Sequence, residues 1–232
     1  MNTDTFTWKG YEWRTHERWG CQHPDKSWTL YSQNCVEIDK DDNLILDIKD
    51  HLTNYNFSLV YPMGLVSTTE NNPKFSQGIY KWTAKLPKGK HLWPGLWMYS
   101  WDCWPPEIDV MEAWTNSCGG YLKGIMNMGI NTNIHYGVDN FDNMQHMPSK
   151  YCLCNWPARS FNEYKLIWKD DQLQFFYNDK LIRTISGYSV EWTNRNCESG
   201  MNIIIDIHPT KDYKDGDMKT PLIIKDFEYI PF

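Results

Sequence analysis

The stretch EYKLIWKDDQLQFFYNDKLIRTI, residues 163–185, shows how this chain folds. Its apolar residues alternate with polar ones on both sides of a polar break at 169–171, as expected for strands with one buried face. A second break contains Asn178 and Asp179, which tolerate the positive φ that a tight hairpin turn needs. The segment is therefore predicted to form three antiparallel strands, at 163–168, 172–177 and 181–185.

Short strand-like runs between turn residues continue along the chain, and no longer segment has a clean helical repeat. The other predicted strands are 44–48, 57–61, 77–86, 94–100, 107–113, 121–130, 201–207 and 221–229. This pattern predicts an all-β fold, a jelly-roll sandwich of two packed antiparallel sheets with a concave cleft. Residues 10–27 and 138–160 are irregular and are expected to form loops over the sheet ends or over the concave face.

The size and charge of the chain exclude several classes of protein. Its 232 residues fit one domain, 1–232, and a net charge of −6 without a basic block argues against nucleic-acid binding. No apolar run is long enough to span a membrane. The first ten residues, MNTDTFTWKG, do not resemble a signal peptide. We expect a monomer, extracellular or periplasmic if a signal has been removed, with a cytoplasmic location left open.

Tryptophan is unusually frequent, at 13 of 232 residues. An indole can fill a core, or it can form a flat platform for a sugar or a base. Five of the tryptophans lie close in sequence to acidic and proline residues: Trp93, Trp97, Trp101, Trp104 and Trp114. Core packing and a ligand platform both remain open for this group.

The cysteines give little information about function. There are seven, so at least one is unpaired if the others form disulfides within the chain. Cys152 and Cys154 lie near His146, but their spacing is not that of a zinc finger. We predict no metal site there.

The segment 104–114, WPPEIDVMEAW, contains three carboxylates in an otherwise apolar strand. Glu107 and Asp109 are two residues apart and share a face, whereas Glu112 joins them only if a β-bulge absorbs one residue. Without a bulge, the strand is a solvated surface strand. With one, the clustered charges raise a carboxyl pKa, as a general acid requires. Carboxylates about 5–5.5 Å apart are typical of retaining glycoside hydrolysis.

The segment Glu107–Glu112 resembles the ExDxxE signature of glycoside hydrolase family 16, in the bulged form of laminarinases, agarases, porphyranases and carrageenases. Other parts of the chain resemble the family in consistent order over about residues 40–230: Phe75–Pro87, Leu92–Trp97, Asn162–Trp168, Phe176–Asp179 and Ile224–Tyr229. The resemblance implies a jelly-roll hydrolase that cleaves internal β-glycosidic bonds with retention and needs no cofactor.

The resemblance also implies roles for individual residues. Glu107 would be the nucleophile, Asp109 the assisting acid and Glu112 the general acid/base. Trp97 matches a family tryptophan and is the first candidate for sugar stacking, and His135 matches a strand position where a histidine contacts sugar, although a structural role is equally open. The secondary candidates for sugar binding are Trp93, Trp101, Trp104 and Trp114.

Three positions depart from the family pattern or leave a question open. Lys180 replaces a hairpin glycine, and Lys at positive φ would be strained. Asn162 replaces a frequent histidine, with no evident catalytic consequence. Asp226 matches a residue that helps to bind a structural calcium ion in many members, but a partner for it is not evident, so calcium is left open.

The expected partner is a polysaccharide, most simply a neutral β-1,3-glucan of laminarin type. Sulfated galactans would call for basic residues in the cleft. Those nearest in sequence to the acidic strand are few: Lys81, Lys85, Lys88, Lys90, Lys123 and Arg159. The alternatives are a β-galactanase acting on agar, porphyran, carrageenan or host galactose-containing glycans, and a non-catalytic carbohydrate-binding protein or adhesin.

Overall fold

The computed structural model describes residues 5–23, 26–115, 129–137, 144–146, 150–153 and 157–232. The strands are β1 (Thr5–Trp8), β2 (Tyr11–Arg14), β3 (Thr29–Tyr31), β4 (Val36–Ile38), β5 (Leu44–Leu46), β6 (Thr53–Tyr55), β7 (Ser58–Met63), β8 (Leu65–Thr68), β9 (Gly78–Lys85), β10 (Lys88–Gly89), β11 (Leu92–Ser100), β12 (Glu107–Glu112), β13 (Gly129–Gly137), β14 (Met144–His146), β15 (Lys150–Leu153), β16 (Asn162–Trp168), β17 (Gln172–Tyr177), β18 (Lys180–Ser186), β19 (Met201–Pro209), β20 (Met218–Thr220) and β21 (Leu222–Pro231). One α-helix, α1, spans Tyr188–Arg195, and a 3-10 turn spans Gln33–Cys35. The all-β prediction is confirmed.

Two large antiparallel sheets form the sandwich. The nine-stranded sheet has the order β1-β2-β8-β19-β11-β12-β13-β14, with β15 also paired to β13. The seven-stranded sheet has the order β18-β17-β16-β9-β21-β5-β4. Two small sheets accompany them, β10-β20 and β3-β7-β6, and β3 pairs with β7 in parallel.

The meander predicted from residues 163–185 is confirmed as β16, β17 and β18. Asn178 and Asp179 have φ values of 46° and 61°, as the tight turn requires. Lys180 is already the first residue of β18. The prediction of backbone strain at Lys180 is therefore wrong, because the positive φ values of the turn occur at the two residues before it.

The core lies between the two large sheets. In β9, burial alternates residue by residue, so that one face of the strand lies in the core. Trp82 on β9 and Trp168 on β16 are almost completely buried there. Burial of a large apolar side chain contributes about 1.5–3 kcal/mol, so both indoles stabilise the packing of the seven-stranded sheet against the core.

The observed elements differ from the sequence prediction in three places. Helix α1 was not predicted, because two turns are too short to give a clear helical period. β14 and β15 form strands at the edge of the sheet within 138–160, where loops were expected. The predicted strand at 121–130 lies outside the described residues except for 129–130, which belong to β13. Among the described residues, no helix has both the length and the apolar character needed to cross a membrane.

The other irregular region, 10–27, begins with β2 and then leaves the sheet. Its later residues lie over the face of the nine-stranded sheet that points away from the core, where the ring of Trp19 is 5.4 Å from that of Tyr99. We call this outer face the cleft face. The expectation of a loop over one sheet face is confirmed for this segment.

In the part of the chain that the structure describes, four cysteines are free thiols: Cys21, Cys35, Cys103 and Cys197. The side chains of Cys152, Cys154 and His146 lie outside the described part of the structure, so the interpretation of that group stays a prediction.

We expect Trp82→Ala to lower the free energy of unfolding by about 3–5 kcal/mol, because it leaves a large cavity between the sheets. Urea denaturation followed by tryptophan fluorescence measures this loss. The control is Phe57→Ala, since Phe57 is fully exposed and its removal should leave the unfolding midpoint unchanged. Equal stabilities of the two variants would contradict the assignment of Trp82 to the core.

Candidate active site

A β-bulge in β12 brings the three carboxylates to one face of the sheet. Glu107 pairs with His135 and Glu112 with Asn131, so five steps along β12 match four steps along β13. The shift in register falls between Asp109 and Glu112. Since one residue is absorbed, Glu112 points to the same side as Glu107 and Asp109. This is the bulge that the functional interpretation of the acidic strand required.

Each of the two glutamates accepts a hydrogen bond from an indole. Trp104 donates its Nε1–H to Glu107 Oε2 at 2.7 Å, and Trp93 donates to Glu112 Oε1 at 3.1 Å. Both glutamates are half-buried, and Asp109 between them is only 3% exposed. The indoles therefore fix the orientation of the carboxylates while leaving part of each accessible.

His135 supplies positive charge to the acidic cluster. Its Nε2 lies 3.2 Å from Asp109 Oδ2 and 3.5 Å from Glu107 Oε1. Burial opposes protonation of the imidazole, but the hydrogen bond with Asp109 and the charges of Glu107, Asp109 and Glu112 outweigh it and raise the pKa of His135 to about 9. At neutral pH the imidazolium balances part of the negative charge.

Both glutamates are held towards the protonated form. Burial, followed by the charge of Asp109, raises the pKa of Glu107 to about 7. The same two causes raise the pKa of Glu112 well above its usual range, and the charge of Glu107 adds to them. A carboxylic acid that keeps its proton at neutral pH can act as a general acid.

Trp97, the first candidate for sugar stacking, lies on β11 opposite Asp109 and is half-buried, and its stacking role stays a prediction. Its Nε1–H donates to Asp206 Oδ2 at 3.1 Å, and His208 Nε2 lies 3.1 Å from the same oxygen. A side chain at Gly95 would place its Cβ 2.7 Å from Asp206 Oδ1. Asp206 therefore reaches over Gly95 to hold the indole of Trp97 in place.

Trp93 and Trp114 form an aromatic platform beside Glu112. Their ring centroids are 5.3 Å apart at 31°, and Trp114 is 37% exposed. The ammonium group of Lys26 lies 4.0 Å from the centre of the Trp93 ring, a cation–π distance. This platform presents aromatic surface next to the acid that would donate a proton.

The remaining two tryptophan candidates differ from each other. The ring of Trp104 lies 6.4 Å from that of His135, within the acidic cluster. Trp101 instead lies against guanidinium groups, with the Cζ of Arg14 and of Arg18 at 5.6 Å and 6.0 Å from its ring. A sugar-binding role for Trp101 stays a prediction, because its described ring contacts do not include the three acids.

Metal-binding geometry occurs once among the described residues. Donor atoms of Glu107, Asp109 and His135 all lie within 4.8 Å of one another. The protonated imidazole of His135 already supplies positive charge there. Asp226 is exposed, and its carboxylate accepts a hydrogen bond from the backbone N–H of Phe227. A calcium site at Asp226 stays a prediction.

Sequence reasoning missed Asp206, His208 and Lys26. The first two could have been found, because β19 reads MNIIIDIHP and its polar residues occur at alternate positions, on one face of the strand. Lys26 has no comparable signal, since it approaches Trp93 from a loop far away in sequence.

The site combines a carboxylic acid, a second carboxylate on the same strand and flanking aromatic rings, an arrangement typical of glycoside hydrolases. Residues 24–221 match the sequence profile of Glycosyl hydrolases family 16. The chain belongs to this family, and the family resemblance is confirmed.

Related proteins are named for their action on, or binding of, β-glucans. The chain is 26% identical over 219 residues to Glucan endo-1,3-beta-glucosidase A1 from Niallia circulans, which covers 89% of the chain and 28% of that protein. It is 29% identical over 133 residues to the Beta-1,3-glucan-binding protein of Penaeus monodon, covering 53% of the chain and 35% of that protein. The matches therefore span about a third of each relative.

Solved structures share the fold over nearly the whole chain. The mixed-linkage-glucan family 16 protein of Bacteroides ovatus, in complex with an oligosaccharide product, is 18% identical with a TM-score of 0.74, covering 99% of this chain and 98% of that one. The laminarinase catalytic domain of Thermotoga maritima is 16% identical with a TM-score of 0.67, covering 88% and 83% of the two chains. At these identities the likeness establishes the jelly-roll fold.

We expect the imidazole of His135 to titrate near pH 9, and Asp109→Asn to lower this pKa, because the variant removes a hydrogen-bonded negative charge while burial remains. NMR of the imidazole resonances measures the change. The control is Asp217→Asn, which removes the 2.7 Å partner of His91 and should leave His135 unaffected. An unchanged His135 pKa in Asp109→Asn would show that Asp109 does not stabilise the protonated imidazole.

Proposed function

We propose that this protein is a retaining glycoside hydrolase that cleaves internal β-glycosidic bonds of a β-1,3-glucan. The observation that carries the proposal is the β12 bulge, which aligns Glu107, Asp109 and Glu112 on the cleft face. Three clustered and partly desolvated carboxylates are costly to a fold. A protein that only binds neutral sugar has no need of them.

In the first step, the Glu107 carboxylate attacks the anomeric carbon and forms a glycosyl-enzyme ester. The bond to the leaving oxygen breaks as Glu112 transfers its proton to that oxygen. The direction of the pKa shifts supports the role of Glu112, because its pKa is raised well above its usual range, as a proton donor requires, while that of Glu107 is raised to about 7. The imidazolium of His135, 3.2 Å from Asp109, neutralises part of the negative charge beside the nucleophile.

In the second step, water attacks the same anomeric carbon from the side vacated by the leaving group. The Glu112 carboxylate takes the proton from this water, and the bond to Glu107 breaks. Two displacements at one carbon give net retention of the anomeric configuration. Both glutamates return to their initial protonation states.

Aromatic surface and the named relatives support a β-1,3-glucan as substrate. The half-buried Trp97 lies opposite Asp109, the Trp93–Trp114 platform lies beside Glu112, and both offer flat faces for the C–H surface of a sugar ring. Two relatives are glucan endo-1,3-beta-glucosidases. A β-galactan and a purely binding role are the competing outcomes of the experiments below.

Wild-type protein should release reducing ends from laminarin faster than from agarose or carrageenan, and NMR should show β-anomers as the first products. We expect Glu107→Ser to reduce turnover by about a thousandfold or more while oligosaccharide binding persists, because only the nucleophile is removed.

The control for this variant is Glu37→Gln, an exposed carboxylate on the edge strand β4 of the seven-stranded sheet, which should keep full activity. Faster release from a galactan would replace the glucan as substrate. Binding of laminarin without release of reducing ends by the wild type would indicate the binding role.

Glu112→Gln should slow hydrolysis of laminarin by about 10²–10⁴-fold but have a much smaller effect on aryl β-glucosides with good leaving groups, because those need no proton. Steady-state kinetics on the two substrate classes measure the difference. Equal losses on both would argue against Glu112 as the acid/base.

A further inference from the structure

The cleft face is accessible over only part of the nine-stranded sheet. On β19, the residues that point to this face are closed off from solvent, with Asn202, Asp206 and His208 at 3% exposure or less. All residues of the next strand, β8, are buried as well. Trp97 on β11 and Glu107 on β12 are instead half-buried. Among the described residues, the accessible side chains of this part of the face therefore lie on β11 and β12, and none lie on β19 or β8.

Residues 16–23 and 26–31, which we call the cover segment, lie over β19 and the adjoining side of β11. Tyr99 donates its hydroxyl to Glu17 Oε2 at 2.9 Å. The rings of His23 and Tyr31 lie 6.1 Å and 6.0 Å from the ring of His208. The side chains of Tyr99 and His208, which would line a groove that continued across β19, therefore contact the cover segment.

The cover segment is also attached to the sheet by hydrogen bonds along its length. Ser67 donates its hydroxyl to the carbonyl oxygen of His16 at 2.7 Å. Arg18 donates to the carbonyl oxygen of Trp101 at 2.6 Å, and Trp28 donates its indole N–H to that of Pro209 at 3.0 Å. Contacts at both ends and in the middle make it a fixed wall of the cleft.

The wall leaves little room beside the acids. Neighbouring strands are about 4.8 Å apart, so only the width of β11, about one to two strand spacings, separates the acids on β12 from the covered strand β19. A polysaccharide that crosses the sheet and ends at the cover segment has space for about one or two sugar residues on this side. Lys26 and the Trp93 ring stand at the edge of this space.

We propose that the cover segment closes the cleft on the β19 side, so that the protein binds a chain end there and cuts at a fixed, short distance from it. This inference rests on the proposed hydrolase activity and narrows its internal cleavage to bonds near one end. The specificity-determining element is the wall formed by Glu17, His23 and Tyr31 over Tyr99 and His208.

The first test follows the products of linear β-1,3-gluco-oligosaccharides and laminarin over time with the wild-type protein. We expect one short product to dominate from the earliest samples and viscosity to fall slowly relative to the release of reducing ends. A ladder of intermediate lengths with a rapid fall in viscosity would overturn the proposed wall.

The second test does not depend on hydrolysis. Glu107→Ser is titrated with laminarihexaose that carries a bulky fluorophore on the reducing end or on the non-reducing end, with the unlabelled sugar as control. A closed cleft should weaken binding of one labelled form by about tenfold or more relative to the other. Equal affinities would show a cleft open on both sides, whatever the result for catalysis. Absence of hydrolysis together with unequal affinities would reject the proposed function but keep the wall.

Discussion

One extra residue in β12 is the constraint on which the site depends. In a regular strand, Glu112 would point into the core with Ile108, whereas the bulge turns it to the cleft face. The matching shift on the other side of the strand lies between Leu96 and Trp97 of β11. The pairing of β12 with each of its two neighbours therefore shifts register at the bulge. This shift also sets the position of Trp97 relative to Asp109.

Bringing three carboxylates together requires compensation, and the structure provides it through a few polar contacts. The imidazolium of His135 lies between Glu107 and Asp109, and indole N–H groups reach the two glutamates. The balance is partial, which is why the pKa values of the glutamates stay raised. The crowding of negative charge that is unfavourable for the fold therefore also raises the carboxyl pKa values on which the proposed acid chemistry depends.

The sequence allowed the meander to be predicted and the bulge to be named as one of two alternatives, because both depend on local alternation or on spacing within one strand. It predicted a loop over a sheet end or face at 10–27, but not the contacts that hold the cover segment there. The bond from Tyr99 to Glu17 joins residues 82 positions apart, and that from Trp28 to Pro209 joins residues 181 apart. Such contacts depend on how distant elements pack, which periodicity does not encode. Helix α1 was missed for a different reason, since two turns hold too few residues to show a period.

The missing side chain at Gly95 has a consequence for how this site can vary among related proteins. The carboxylate of Asp206 occupies the space where a Cβ at position 95 would stand, and from there it reaches the indole of Trp97. A relative with any larger residue at position 95 cannot keep an acid in this orientation at position 206. The two positions should therefore covary, and the pair marks which members of the family share this way of fixing the indole.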